Sequence, residues 1–97
     1  MSDGIGWDGI DDVAVLTPES EPPPDPGIVE TGPWVGIANE FTGVLVRQVR
    51  TRNGSRLQMW VPSRGYSILL DAMQLEIIAA QDPAAFTTLF ARKLGSA

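Results

Sequence analysis

Residues 41–61 read Phe-Thr-Gly-Val-Leu-Val-Arg-Gln-Val-Arg-Thr-Arg-Asn-Gly-Ser-Arg-Leu-Gln-Met-Trp-Val. Phe41 to Thr51 is rich in β-branched residues, which fit a pleated, half-buried surface, and so reads as a strand. The following Arg52-Asn53-Gly54-Ser55 holds Asn-Gly, a strong hairpin signal because both residues tolerate the positive φ of a type I′ turn. The chain is therefore expected to reverse at Asn53-Gly54 and to return as a second strand over Arg56 to Val61. Alternation then places Leu57, Met59 and Val61 on one face and Arg56, Gln58 and Trp60 on the other.

Toward the C-terminus, Pro62-Ser63-Arg64-Gly65 reads as the next turn. Tyr66 to Leu70 is a third strand, with Tyr66, Ile68 and Leu70 on one side. At Asp71 the period changes. Asp71-Ala72-Met73-Gln74 resembles a capping box, and Met73, Ile77, Ile78 and Ala80 fall near one helical face, flanked by Leu75. Asp82-Pro83 starts a second helix, with Asp as N-cap and Pro at the first helical position, where its missing N–H is not needed. Phe86, Leu89, Phe90 and Lys93 follow at helical spacing. Arg92 and Lys93 suit the dipole of the last turn, and Gly95 supplies a stop.

The expected fold class is α+β: a three-stranded antiparallel meander followed by two short helices packed on one face, with a long acidic Pro/Gly-rich N-terminal tail. The folded body is expected over residues 34–97, with Ile37 in a short extended entry. A body of this size buries a small share of its surface and is marginal alone. Two short helices cover one sheet face, which leaves Val44, Val46, Leu69 and Trp60 for a second copy or a protein partner.

Residues 1–33 read as a flexible tail. Gly4, Gly6 and Gly9 interrupt any helix, and Pro18, Pro22-Pro23-Pro24 and Pro26 favour an extended, polyproline-like path. Ile5, Trp7, Ile10, Val13 and Val15 are apolar islands in this acidic segment, candidate anchors for docking on the body or on a partner. The charge layout agrees. Residues 1–30 hold eight carboxylates and no Lys or Arg, a charge of −8, whereas residues 31–97 carry +3, for a net −5.

Composition excludes much chemistry. The chain has no Cys and no His, hence no disulfide, thiolate nucleophile, Cys-type zinc site or Ser-His-Asp triad. Asp8, Asp11 and Asp12 lie close together but lack the twelve-residue calcium-loop pattern, so no metal is expected. The glycines at 4, 6 and 9 follow no strand and precede no helix, so the context of a dinucleotide fingerprint is missing and no cofactor is expected. Of the body's carboxylates, Asp71 and Asp82 read as caps and Glu76 as a surface residue. Glu40, with Tyr66, is too little for an active site, so no catalytic residue is assigned. No apolar run approaches a membrane span and no basic, apolar leader opens the chain, so the expected location is the cytoplasm.

Arg47, Arg50, Arg56 and Arg64 are interleaved with Trp60 on the meander, forming the candidate interaction surface. Arginine with aromatics on a sheet is a means of binding single-stranded nucleic acid. A pI near 4.4 and the lack of an RNA-recognition signature speak against that use.

Residues 37–41 (Ile-Ala-Asn-Glu-Phe), 46–57 (Val-Arg-Gln-Val-Arg-Thr-Arg-Asn-Gly-Ser-Arg-Leu) and 65–71 (Gly-Tyr-Ser-Ile-Leu-Leu-Asp) together resemble a group of small actinobacterial proteins commonly labelled dihydrodiol dehydrogenase. The resemblance covers residues 37–90 and leaves the acidic tail outside. The label implies nicotinamide-dependent oxidation of an aromatic cis-diol. A Tyr-x-x-x-Lys pair is absent, since Tyr66 is followed four residues on by Leu70, and no room exists for a doubly wound cofactor domain. What the resemblance implies is thus an accessory component of an aromatic-compound oxidoreductase system. The sequence itself points to a small non-catalytic interaction protein or accessory subunit. A component of such an oxidoreductase system is the alternative, and a weak nucleic-acid binder is the third reading.

Overall fold

The computed structural model describes residues 15–95. Six strands form one antiparallel sheet: β1 (Val15–Leu16), β2 (Ile28–Thr31), β3 (Trp34–Ala38), β4 (Gly43–Thr51), β5 (Gly54–Val61) and β6 (Tyr66–Leu70). Two helices follow, α1 (Ala72–Ala79) and α2 (Pro83–Phe90), and the chain continues past α2 in a wider π-helical turn over Ala91–Gly95. The class is α+β.

β4 is the organising strand. One of its edges pairs with β5 from Leu45↔Trp60 to Thr51↔Gly54. The other pairs with β3 at Gly43 to Val46 and with β2 at Val49 to Thr51. β2 and β3 are thus one edge line broken at Gly32-Pro33. Pro33 cannot donate to a ladder. Gly32 donates its N–H to the Gln48 carbonyl at 2.7 Å, and a Cβ there would lie 3.2 Å from that oxygen. β6 pairs with β5, and β1 pairs with β3 through Val15↔Val35 and Leu16↔Trp34.

The hairpin differs in detail from the Asn53-Gly54 expectation. Thr51 pairs with Gly54, so the two loop residues are Arg52 and Asn53. A type I′ turn needs two positive φ angles, and among the described residues only Gly54 (φ +117°) and Gly65 (φ +73°) have one. Gly54 therefore acts as the residue that closes the loop. The Thr51 hydroxyl helps, accepting from the Asn53 N–H at 3.2 Å and donating to the Gly54 carbonyl at 2.9 Å.

Register and alternation place Trp34, Leu45, Arg47, Val49, Gln58, Trp60, Ser67 and Leu69 on one face of the sheet. Here the structure departs from the expected layout. Five of the six buried strand residues lie on this face: Trp34, Leu45, Val49, Gln58 and Trp60. No helix covers it. The proline-rich segment does, running from Ser20 to Gly27 as a strap. Pro22 is buried, and the Trp60 indole N–H donates to the Ser20 carbonyl at 2.9 Å. Proline suits this role because its φ is already fixed, so ordering an extended strap costs less entropy. The sheet and its cover thus extend into the segment that the sequence reads as tail, through Val15–Leu16, Ser20–Gly27 and Ile28–Thr31. The candidate anchors Ile5, Trp7, Ile10 and Val13, and the carboxylates Asp8, Asp11 and Asp12, lie outside the described residues.

The opposite face carries Val35, Ile37, Val44, Val46, Leu57, Met59, Val61, Tyr66, Ile68 and Leu70. Leu70 alone of these is buried.

Candidate functional site: two arginine environments and an open apolar face

The candidate surface residues do not form one patch. Arg47 is half-buried on the strap-covered face. Its guanidinium carbon sits 4.1 Å from the centroid of the Trp34 ring, and its Nε donates to Gln58 Oε1 at 2.7 Å. Gln58, only 2% exposed, passes a weaker bond from Nε2 to Ser67 Oγ at 3.4 Å. A buried amide needs such partners, because an unsatisfied one costs ~1–3 kcal/mol. Arg56 lies on the same face, and its guanidinium donates to the Ser55 carbonyl. Arg50 lies on the other face, exposed and paired with Glu30 of β2. Arg64 sits in the turn between β5 and β6. Trp60, 5% exposed, is a core residue under the strap. The five therefore offer no continuous basic surface with a stacking ring.

The carboxylates at the helix starts have structural work. Asp71 accepts from the Gln74 N–H at 2.8 Å while the Gln74 side chain accepts from the Asp71 N–H at 2.9 Å, a complete capping box. Asp82 accepts from the Ala84 N–H. Among the described residues, no cluster of three metal-ligating side chains occurs and no helix is long and apolar enough to cross a membrane.

What remains is the open face and its helices. No side chain of α1 or α2 is buried. Leu75 is half-buried and, with Ala72, lines a groove of about 310 Å³ above Leu57 and Leu70. Met73 and Ile77 lie on the opposite side of α1, at 73% and 59% exposure. The expected single apolar stripe is therefore split, because apolar residues at 73, 75, 77 and 78 surround so short a helix. On α2, Phe86, Leu89 and Phe90 share one side and are all exposed. Phe90 reaches a cleft lined by Asn39, Phe41, Thr42 and Arg64, at the end of the sheet opposite to Leu75. Phe41 stands at the tip of the loop between β3 and β4, which Asn39 Oδ1 shapes by accepting the N–H groups of Phe41 and Thr42. Sequence reasoning missed Phe41, Ile68 and the outer row of α1 as surface candidates. For the α1 row the signal was an apolar residue on every side of an eight-residue helix.

Comparison with protein-family models, with curated proteins and with solved structures finds no match to this chain.

Proposed function

We propose that this chain is a small non-catalytic accessory subunit or adaptor that binds protein through α1, α2 and the open face of the sheet. The observation that carries this reading is the exposed apolar surface of the two helices. Contiguous exposed apolar patches of several hundred Å² mark interaction sites on soluble proteins. Burial is concentrated on the strap-covered face, which leaves the helical side open for contact. Three of the described carboxylates have structural partners: Asp71 and Asp82 cap helices, and Glu30 pairs with Arg50. The resemblance to the dihydrodiol dehydrogenase group suggests which class of partner to look for, an oxidoreductase acting on aromatic compounds.

A photo-crosslinking residue at Met73, placed in the full chain inside its source cell, tests the reading. Adducts to a defined protein that disappear when Ile77→Glu is added are expected. Adducts indifferent to Ile77→Glu, or none, overturn it. An aromatic-compound oxidoreductase among the adducts would support the partner class, and nucleic acid in its place would favour the basic-surface reading.

A further inference from the structure

We propose that the first occupant of this apolar side is a second copy of the chain, packed two-fold through α1 and α2. The inference rests on the interaction reading above and names its partner.

Area argues for it. Met73, Ile77, Phe86, Leu89 and Phe90, with Ile68 on β6, expose between 42% and 73% of their surface. Together they present on the order of 700 Å², close to the ~800 Å² each partner contributes to a standard stable interface.

Charge points the same way. Residues 72–90 carry two carboxylates and no cation, and one of the two, Asp82, is held at the N-terminus of α2. A two-fold contact sets each surface against its own image, so a charged surface repels itself while a nearly uncharged apolar one does not. A partner recognised by charge would find little here to read.

The small core supplies the need. Among the described residues the buried apolar side chains are Trp34, Leu45, Val49, Trp60 and Leu70. Chains with so little core commonly complete it by association. The occupant must then be present whenever the chain is, a condition that a second copy meets.

Sedimentation equilibrium on the purified full chain, from low to high micromolar concentration, tests the proposal. The expected result is a species of twice the 10.4 kDa chain mass, with dissociation weakened about tenfold or more by Ile77→Glu or by Leu89→Glu. Both side chains are exposed in the single chain, so circular dichroism should show the sheet retained. If either variant loses its fold, Met73→Gln and Phe90→Gln carry the test. A monomer throughout the range overturns the proposal, whether the face stays open or is shielded by residues 1–14. So does a dimer indifferent to all four substitutions. The two readings fail separately. A monomeric pure protein with a foreign adduct at Met73 removes the dimer and keeps the adaptor. A dimer with adducts only to itself does the reverse.

Discussion

The two faces of the sheet are built from the same strands and differ in what lies on them. One face carries two tryptophans, a valine and two leucines, with a polar chain from Arg47 through Gln58 to Ser67 set among them, and a proline-rich strap closes it. The other carries a larger number of aliphatic side chains and meets helices that bury none of their own residues. The count of apolar residues on a face therefore does not decide which face is the core. Two indole rings and a segment that can lie flat over them do. Large aromatic side chains bury ~150–250 Å² each, so a short strap over two of them removes more surface from water than a loosely placed helix over several valines.

Substitutions at matched positions sharpen this contrast. The largest expected effect is at Trp60. Trp60→Ala deletes a buried ring and frees the Ser20 carbonyl, and should cost about 3–5 kcal/mol, enough to unfold so small a domain. Ile68→Ala, one strand away on the open face, should cost under about 0.5 kcal/mol in the single chain. Urea unfolding of the two variants at low concentration measures both. Equal losses would mean that the helices seal their face as tightly as the strap seals the other.

A second, smaller effect concerns the hairpin that joins β4 to β5 and so positions both faces. Gly54 holds φ at +117°, where a branched side chain is strained. Gly54→Val should lower stability by about 1–3 kcal/mol, read as a shift in the denaturation midpoint with an unchanged slope. Gly54→Asn, which tolerates positive φ better, should recover part of the loss. The Cβ meets only the flexible Arg56 guanidinium at 3.5 Å, so the loss would be conformational and not steric.

The strand pattern was legible in the sequence because it is local. The runs from Thr51 back to the β-branched residues, from Arg56 to Val61 and from Tyr66 to Leu70 alternate and are punctuated by Asn-Gly and Pro-x-x-Gly. Asp71 and Asp82 likewise mark the helix starts with a side chain that caps a backbone a few residues on. The cover of the sheet was not legible, because it depends on a contact forty residues apart in the chain, between Ser20 and Trp60. Arg56, Gln58 and Trp60 look outward by composition. Only the strap makes their face the interior, and a stretch rich in proline and carboxylates gives no periodic signal of burial. β2 was hidden for a related reason. Ile28–Thr31 is four residues long and sits between a proline cluster and Gly32-Pro33, so it pairs because β4 extends past β3 and offers an unfilled edge.

The smallest effect separates the two arginines of β4, which are three residues apart and point to opposite faces. Arg47 stacks on Trp34 and satisfies Gln58, an amide that is almost wholly buried. Arg47→Ala should cost about 1–3 kcal/mol, since it leaves a buried carbonyl oxygen unpaired and removes a partly desolvated cation–π contact. Arg47→Lys should recover little, because an ammonium offers neither the planar face nor the Nε donor. Arg50 pairs with Glu30 where both side chains are 62% exposed. Water screens such a pair, so a double-mutant cycle of Arg50→Ala with Glu30→Ala should give a coupling of about 0.5 kcal/mol or less. That coupling should fade as salt is raised, whereas the Arg47 loss should hold, because Arg47 is half-buried against the indole and a buried amide and is screened less. A coupling at Glu30–Arg50 that persists in high salt would place that pair in a dry environment and show that the open face is covered in solution, as the association of two chains through the helices would achieve only if it also reached β2.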